Sequence, residues 1–205
     1  MKKVLLIVET NFIKNIVLKQ DLNCAYLTDL AGQRKLDLAI PEYSLLESSS
    51  TTRIKLDKWN RNLINMINQL NEIARSRPFE RLCLDIKDRI RELGENLKYL
   101  NQEMDTIINE FTSNCIIAPY TIDIWFKAHK RSIAKKPPYK DSDRSIYESI
   151  LSYVADNKNS YNILIFYTSD KKDFDHQEIM DELTNMDVEI YFNSGEVVRR
   201  VHELI

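Results

Sequence analysis

Glycine, proline and cysteine are scarce in this sequence, and each scarcity excludes a class of protein. Its 205 residues include only 3 glycines and 5 prolines, which argues against a collagen-like chain, a linker-rich array and a disordered chain. Its 3 cysteines, Cys24, Cys83 and Cys115, are far apart and none belongs to a CxxC pair, so we expect neither a disulfide framework nor a zinc ribbon. They are predicted to be buried thiols in a reducing compartment.

Long apolar runs and an excess of one charge are missing as well. The first apolar run, Val4–Val8, is too short for a signal peptide or a membrane span, and no later run approaches about 18 apolar residues. The 29 Lys and Arg residues nearly balance the 31 Asp and Glu residues, which excludes an overall cationic nucleic-acid binder but not a local basic patch. We therefore expect a cytoplasmic protein that has no membrane partner.

Short buried strands and helical segments alternate along most of the chain. The continuous apolar run Val4–Val8 predicts a strand, because such runs are typical of strands buried on both faces. Further candidate strands are Leu36–Ile40, Ile163–Tyr167 and Val188–Phe192. Helical patterns occupy 175–186 and 195–204. A chain of this length corresponds to one large domain or to one domain with an insertion. The alternation predicts the α/β class with a mostly parallel central sheet.

The middle of the chain has a different period. Apolar residues recur at four-three spacing on both sides of Pro78, which predicts two long antiparallel helices over 54–112. This helical hairpin would be an insertion at 53–115, and the segment Ser48–Thr52 before it is interpreted as a flexible joint. One alternative is that the hairpin packs on the α/β body, and the other is an arm that binds a partner or a second copy of the chain. The residues expected to be buried along its seams are Leu63, Met66, Leu70, Leu93, Leu97 and Leu100.

Acidic residues follow the predicted strands. Glu9 comes directly after the first strand, Glu47 follows the second, and Asp170 and Asp173 follow the third, while Asp143 begins the helix before it. Sites in α/β proteins form at the carboxyl ends of strands, and converging carboxylates repel one another unless a cation lies between them. Oxygen ligands of this kind favour Mg²⁺ or Mn²⁺. No zinc-binding His motif, P-loop or GxGxxG motif competes with this interpretation.

Four ordered segments resemble the motifs of PIN-domain nucleases, and in particular a bacterial PIN-like subgroup. They are 9–12, 40–47, 143–148 and 167–174. The resemblance covers about 1–50 and 116–205, so the helical hairpin lies outside it. It implies a three-layer α/β/α sandwich around a parallel sheet, formed by these two ranges together.

The resemblance also implies roles for individual residues. Glu9 matches the first acidic position, which is usually Asp in the family, Glu47 the second and Asp143 the third, with Asp141 as an alternative for the third. Asp170 and Asp173 flank the fourth position. The catalytic candidates are Glu9, Glu47, Asp143, Asp170 and Asp173. The first four of these are also the expected metal ligands. The residues expected to support the site are Asn11, Thr168 and Ser169.

The activity implied by the resemblance is that of a Mg²⁺- or Mn²⁺-dependent endoribonuclease that hydrolyses RNA phosphodiesters. The resemblance is also compatible with a toxin or an anti-phage component, whose partner would be an antitoxin or another protein. A rival reading is a catalytically impaired PIN-fold module that binds RNA or protein, because Glu9 departs from the usual Asp. A phosphatase-like hydrolase is a second rival, but no DxD motif follows the first strand.

A basic run precedes the proposed ligand Asp143. Lys and Arg near the aromatic residues Trp125, Phe126 and Tyr139 are what single-strand binding uses, since cations neutralise phosphates and aromatic rings stack on bases. The alternative is a solvated basic loop. The candidate nucleic-acid-binding residues are Lys127, Lys130, Arg131, Lys135, Lys136 and Lys140.

Overall fold

A five-stranded parallel sheet forms the centre of the computed structural model, which describes residues 3–205. Its strand order is β3-β2-β1-β4-β5, so the first strand is central. The α/β class with a parallel sheet is confirmed. The strands are β1 (Val4–Val8), β2 (Asp37–Pro41), β3 (Ile116–Ala118), β4 (Ile163–Tyr167) and β5 (Val188–Tyr191).

Burial on both faces explains why the central strands have continuous apolar sequences. Every residue of β1 is buried, and β1 pairs in parallel with β2 on one side and β4 on the other. Val8 is opposite Tyr167 in this register. The residues that follow β1 and β4 are therefore neighbours at the carboxyl edge of the sheet.

The described residues form nine α-helices. Helices α6 and α8 pack on one face of the sheet, where Ile146, Ile150 and Ile179 join the apolar side chains of β1 and β4, while α2 contacts α1 and α9. The helices are α1 (Thr10–Val17), α2 (Leu22–Gly32), α3 (Glu42–Ile73), α4 (Glu80–Thr112), α5 (Ile122–Ile133), α6 (Asp141–Asn157), α7 (Lys171–Phe174), α8 (Gln177–Thr184) and α9 (Ser194–His202), with short 3₁₀ helices at Arg77–Phe79 and Lys158–Ser160. None of these described helices is long and apolar enough to cross a bilayer.

The chain divides into two compact units. One runs to Ser48 and resumes at Ile107, and the other is Ser49–Thr106. The second unit consists of the facing parts of α3 and α4. Lys87 Nζ donates to Asn71 Oδ1 at 3.0 Å, and Arg53 pairs with Asp105 at 2.7 Å. The earlier residue of α3 pairs with the later residue of α4, so the two helices are antiparallel, as the sequence predicts.

Three details of the predicted hairpin are wrong. The segment Ser48–Thr52 is no joint, because it lies inside α3. Met66 and Leu93 are 47% and 48% exposed rather than buried. The other residues expected along the seams are half-buried: Leu63, Leu70, Leu97 and Leu100. The buried stripe of α4 instead includes Cys83, Lys87, Ile90 and Met104. These positions also have four-three spacing, and Leu97 lies on the same stripe seven residues after Ile90. A buried lysine occupies one position, so a search for apolar residues alone finds only part of this stripe.

Substitutions should distinguish the buried positions of the two helices from the exposed ones. Ile90→Ala is expected to lower the free energy of unfolding by about 2–5 kcal/mol, because Ile90 is 6% exposed and its truncation leaves a cavity. Met66→Ala, on the exposed side of α3, should change it by about 0.5 kcal/mol or less. Urea denaturation followed by helical circular dichroism measures both values. Equal effects of the two substitutions would contradict this assignment of the buried face.

Candidate functional site

Glu9 and Thr168 meet at the carboxyl edge of the two central strands. Glu9 follows β1 and caps α1, and its carboxylate accepts a hydrogen bond from the Asn11 N–H at 2.8 Å. Thr168 follows β4, and its hydroxyl donates to the second Glu9 oxygen at 3.1 Å. Glu9 is 4% exposed and Thr168 is fully buried. Pairing of β1 with β4 therefore fixes both oxygens of a buried carboxylate.

Three aspartates form a tight cluster beside this pair. One carboxylate oxygen from each of Asp143, Asp170 and Asp173 lies within 4.8 Å of the others. Asp143 lies in the first turn of α6. Asp170 caps α7 by accepting from the Asp173 N–H at 3.3 Å, and its own N–H donates to the Thr168 hydroxyl at 3.0 Å. The cap holds Asp170 and Asp173 on one turn, facing α6.

Lys140 places its ammonium among these aspartates. Its Nζ lies 3.0 Å from Asp173, 3.2 Å from Asp143 and 4.0 Å from Asp170. The sequence interpretation assigned Lys140 to nucleic-acid binding, but here it neutralises the acidic cluster. Its position shows that the three carboxylates accept a cation between them.

Glu47 approaches the same edge from α3. The Thr10 hydroxyl donates to Glu47 Oε2 at 2.6 Å, and the charge of Glu47 raises the pKa of Asp143. Thr10 is 2% exposed. Glu9 and Glu47 thus interact electrostatically with Asp143, but the group of oxygens within 4.8 Å consists of Asp143, Asp170 and Asp173. Thr10 is a positioning residue that the sequence interpretation had not singled out.

Burial disfavours charge at two of these acids. Loss of hydration raises the pKa of Glu9 to about 7, although the hydrogen bonds from Asn11 and Thr168 oppose that rise. Loss of hydration also raises the pKa of Asp143 to about 6, against the opposing effect of Lys140 and with further increases from Asp173 and Glu47. For Lys140, the pull of Asp173 and Asp143 outweighs desolvation and raises its pKa. Mutual repulsion and burial together favour a cation in the cluster.

The donor set fits a hard divalent metal ion. All five acidic side chains offer oxygen, which Mg²⁺ and Mn²⁺ prefer, and the converging oxygens of Asp143, Asp170 and Asp173 already hold the Lys140 ammonium. A family profile described as a PIN domain matches residues 6–174. The chain belongs to the PIN domain family. PIN domains are generally nucleases and typically use divalent metals.

The PIN match begins in β1 and ends in α7, so it includes every acidic residue of the site. It also spans the helices of the second unit. A comparison with curated proteins found no match.

Other residues proposed from the sequence occupy different surroundings. Asp141 is the weaker alternative for the third acid of the PIN site, because its side chain is 94% exposed and pairs with Arg144 outside the cluster of three aspartates. Ser169 is exposed. Asn11 supports the site through its backbone N–H.

Arg131, which the sequence interpretation assigned to nucleic-acid binding, is buried in the structure. Arg131 is 8% exposed, and its guanidinium pairs with Glu148 at 2.6 Å and Glu182 at 2.7 Å while donating to the Pro137 carbonyl. Buried guanidinium groups that are fully paired hold structure together and are not open to phosphates. Arg131 therefore joins α5 to α6 and α8, and its guanidinium is engaged inside the protein instead of being open to a phosphate.

The remaining lysines of the run lie at the surface. Lys127 pairs with Asp123 one turn earlier in α5, and Lys130 lies over the Phe126 ring. Lys135 and Lys136 are exposed where α5 ends. Lys135 and Lys136 are therefore accessible to a ligand just after α5.

Proposed function

We propose that this protein is a metal-dependent endoribonuclease that hydrolyses RNA phosphodiesters. The observation that carries the proposal is the cluster of Asp143, Asp170 and Asp173 around a cationic group at the carboxyl edge of a PIN-domain sheet. Two of these acids, Asp143 and Asp173, are buried, and carboxylates that converge in this way are disfavoured unless a cation lies between them. The cluster therefore supports a metal-binding function.

Asp143, Asp170 and Asp173 would hold a Mg²⁺ or Mn²⁺ ion, with Glu9 and Glu47 beside it. When bound, such an ion supplies Lewis acidity, which lowers the pKa of water and stabilises charge on phosphoryl oxygens. Thr168 orients Glu9, and Thr10 orients Glu47. Lys140 is within reach of the same oxygens and carries the positive charge that a phosphate in this site would meet.

Metal-dependent cleavage of a mixed RNA pool tests the proposal. The full-length protein should produce discrete fragments with Mn²⁺ or Mg²⁺ and none with EDTA. Asp143→Asn should remove the cleavage, which excludes a contaminating nuclease. Intact RNA under all metal conditions would contradict the nuclease proposal.

A second candidate is a catalytically impaired PIN-fold module that binds RNA or protein. Two observations favour it: glutamate rather than aspartate occupies the first acidic position, and Lys140 neutralises the aspartates internally. Tight RNA binding without cleavage in Mn²⁺ would select this alternative. For the active enzyme, a toxin or defence role with a protein antitoxin is the corresponding biological proposal.

The lysines at the end of α5 should contribute to RNA binding. Each neutralised phosphate of a single strand contributes a slope of roughly −0.7 to log affinity against log salt. Lys135→Ala combined with Lys136→Ala should therefore flatten the slope by about one unit. Fluorescence anisotropy of a labelled single-stranded RNA over a salt series measures it.

A matched double variant is available as a control. Lys19→Ala combined with Lys35→Ala removes the same charge from exposed positions elsewhere. Lys19 has a positive φ of 52° and Lys135 one of 54°, so the backbone effects of the substitutions also match. A slope that changes equally in both double variants would assign the effect to net charge and not to the α5 lysines.

A further inference from the structure

An aromatic-lined cavity lies next to the acidic cluster and has no part in the metal chemistry proposed above. Its volume is about 570 Å³, which is within the usual range for small-molecule sites. Residues from α3, α5, α6 and the loop after β3 line it. Those that carry the argument are Tyr43, Tyr120, Trp125, His129, Asp141 and Arg144.

The cavity and the acidic cluster share the first turn of α6. Asp143 belongs to the cluster, while Asp141 and Arg144 line the cavity. Tyr43 lies one helical turn before Glu47 in α3. A group seated in the cavity would therefore be close to a phosphate held at the aspartates.

Aromatic rings are fixed on two sides of the cavity. Tyr43 and Tyr120 meet edge to face, with centroids 5.0 Å apart. Trp125 lies parallel to His129, with centroids 5.7 Å apart and an angle of 1° between the planes. Trp125 is nevertheless 54% exposed. An exposed indole held at a fixed angle is suited to stack on a flat ligand.

Arg144 brings a guanidinium group to the wall of the cavity. Its residue is 8% exposed, one Nη atom pairs with Asp141, and its buried Nε has no partner among the described residues. Buried donors are rarely left without an acceptor. The Nε is enclosed by protein, so a ligand in the cavity would meet the Nη groups of Arg144 and the exposed carboxylate of Asp141, both of which belong to the cavity wall.

We propose that this cavity binds a nucleobase of single-stranded RNA, next to the phosphodiester held at the aspartates, and that it favours guanine. The inference rests on the proposed function. Proteins read unpaired bases by stacking them on aromatic rings and by bonding their polar edges. Guanine offers O6 and N7 as acceptors to an arginine, and its N1–H and N2–H₂ groups are donors that a carboxylate such as Asp141 accepts.

Binding in EDTA tests the proposal separately from cleavage. The probes are labelled oligouridylates with one central G, A, C or U, and the affinity is measured by fluorescence anisotropy. The wild-type protein should bind the guanine probe more tightly, by roughly fivefold or more. Trp125→Ala should weaken binding of that probe by roughly 5- to 150-fold, the range for loss of one stacked base.

Phe126→Ala is the matched control. Phe126 neighbours Trp125 on α5 and is 48% exposed, but it does not line the cavity. It should leave the preference for guanine unchanged. Arg144→Lys keeps the charge but loses the planar guanidinium, so it should abolish the preference while binding of the all-uridine probe persists. Circular dichroism verifies that both α5 variants and Arg144→Lys remain folded.

The outcomes separate this inference from the nuclease proposal. Selectivity for guanine without cleavage in Mn²⁺ supports the nucleobase site and contradicts the nuclease proposal. Cleavage with equal affinity for all four probes, or an equal loss of the preference for guanine in Trp125→Ala and Phe126→Ala, contradicts the nucleobase site and leaves the nuclease proposal unaffected. Unchanged RNA binding by Trp125→Ala, with loss of a protein partner instead, also overturns the nucleobase assignment.

Discussion

Asp143→Asn is expected to lower metal-dependent cleavage by roughly 100-fold or more, since even outer-sphere partners of metal ligands are typically worth about 10–100-fold. Asp143 is the residue that connects the site. It shares the cluster with Asp170 and Asp173, and it interacts electrostatically with Glu9 and Glu47. Asparagine keeps the size of the side chain but removes one of three charges that favour a divalent ion.

The thermal shift produced by metal gives a readout that does not depend on activity. A ligand that binds only the folded state raises its stability by mass action, so Mn²⁺ should raise the melting temperature of the wild-type protein and should have much less effect on Asp143→Asn. Asp141→Asn is the matched control, because Asp141 lies two residues earlier in α6 but outside the cluster. Equal metal-induced shifts in wild type and Asp143→Asn would exclude Asp143 as a ligand.

Strand ends could be predicted from the sequence because buried parallel strands are continuous apolar runs. Glu9 and Asp170 could be placed near each other for this reason, since they follow β1 and β4, which pair directly. Thr10 and Lys140 could not. Whether a hydroxyl or an ammonium reaches a carboxylate depends on how α3, α6 and α7 pack, and no period in the sequence encodes that packing.

The sequence patterns predict four strands and do not identify β3, which explains why the aromatic cavity could not be predicted. β3 consists of Ile116–Ala118 only, and Ile117 is 37% exposed at the edge of the sheet. Three residues are too few for a periodic signal. Tyr120 follows this strand, so its approach to Tyr43 at the carboxyl edge became visible only with the sheet order.

The hairpin shows the limit of reading periods from apolar residues alone. The four-three spacing gave two helices, but it did not fix which stripe is buried. Lys87 is 8% exposed because its ammonium reaches Asn71 on the other helix. A lysine that buries its stem and bonds its head group occupies a seam position without being apolar.

Glu9→Gln is expected to stabilise the metal-free protein at about pH 8 while reducing its metal-dependent cleavage. Burial raises the pKa of Glu9 from its ordinary value of 4.5 to about 7. Below pH 4.5 the carboxyl is protonated in both the folded and the unfolded chain. As the pH rises, the unfolded chain ionises first, so the stability of the folded protein falls between about 4.5 and 7.

The size of the effect follows from the same change in pKa. Each unit of pKa is worth about 1.36 kcal/mol, so ionisation of Glu9 costs the metal-free fold roughly 3 kcal/mol above neutral pH. Glutamine carries no charge and therefore avoids this cost. Its amide oxygen can still accept from the Asn11 N–H, and its amide nitrogen can donate to the Thr168 hydroxyl, which reorients.

Urea denaturation in EDTA across a pH series measures the difference between wild type and Glu9→Gln. The two proteins should have similar stability near pH 4.5 and should diverge as the pH passes 7, with the variant more stable. Glu110→Gln, at an exposed position of α4, is the control for loss of one carboxylate and should show no such divergence. Added Mn²⁺ should reverse the order at about pH 8, because an ion held beside Glu9 stabilises its charged form and therefore favours the wild type. A variant that is less stable than wild type at every pH without metal would mean that the hydrogen bonds of the Glu9 carboxylate outweigh its burial.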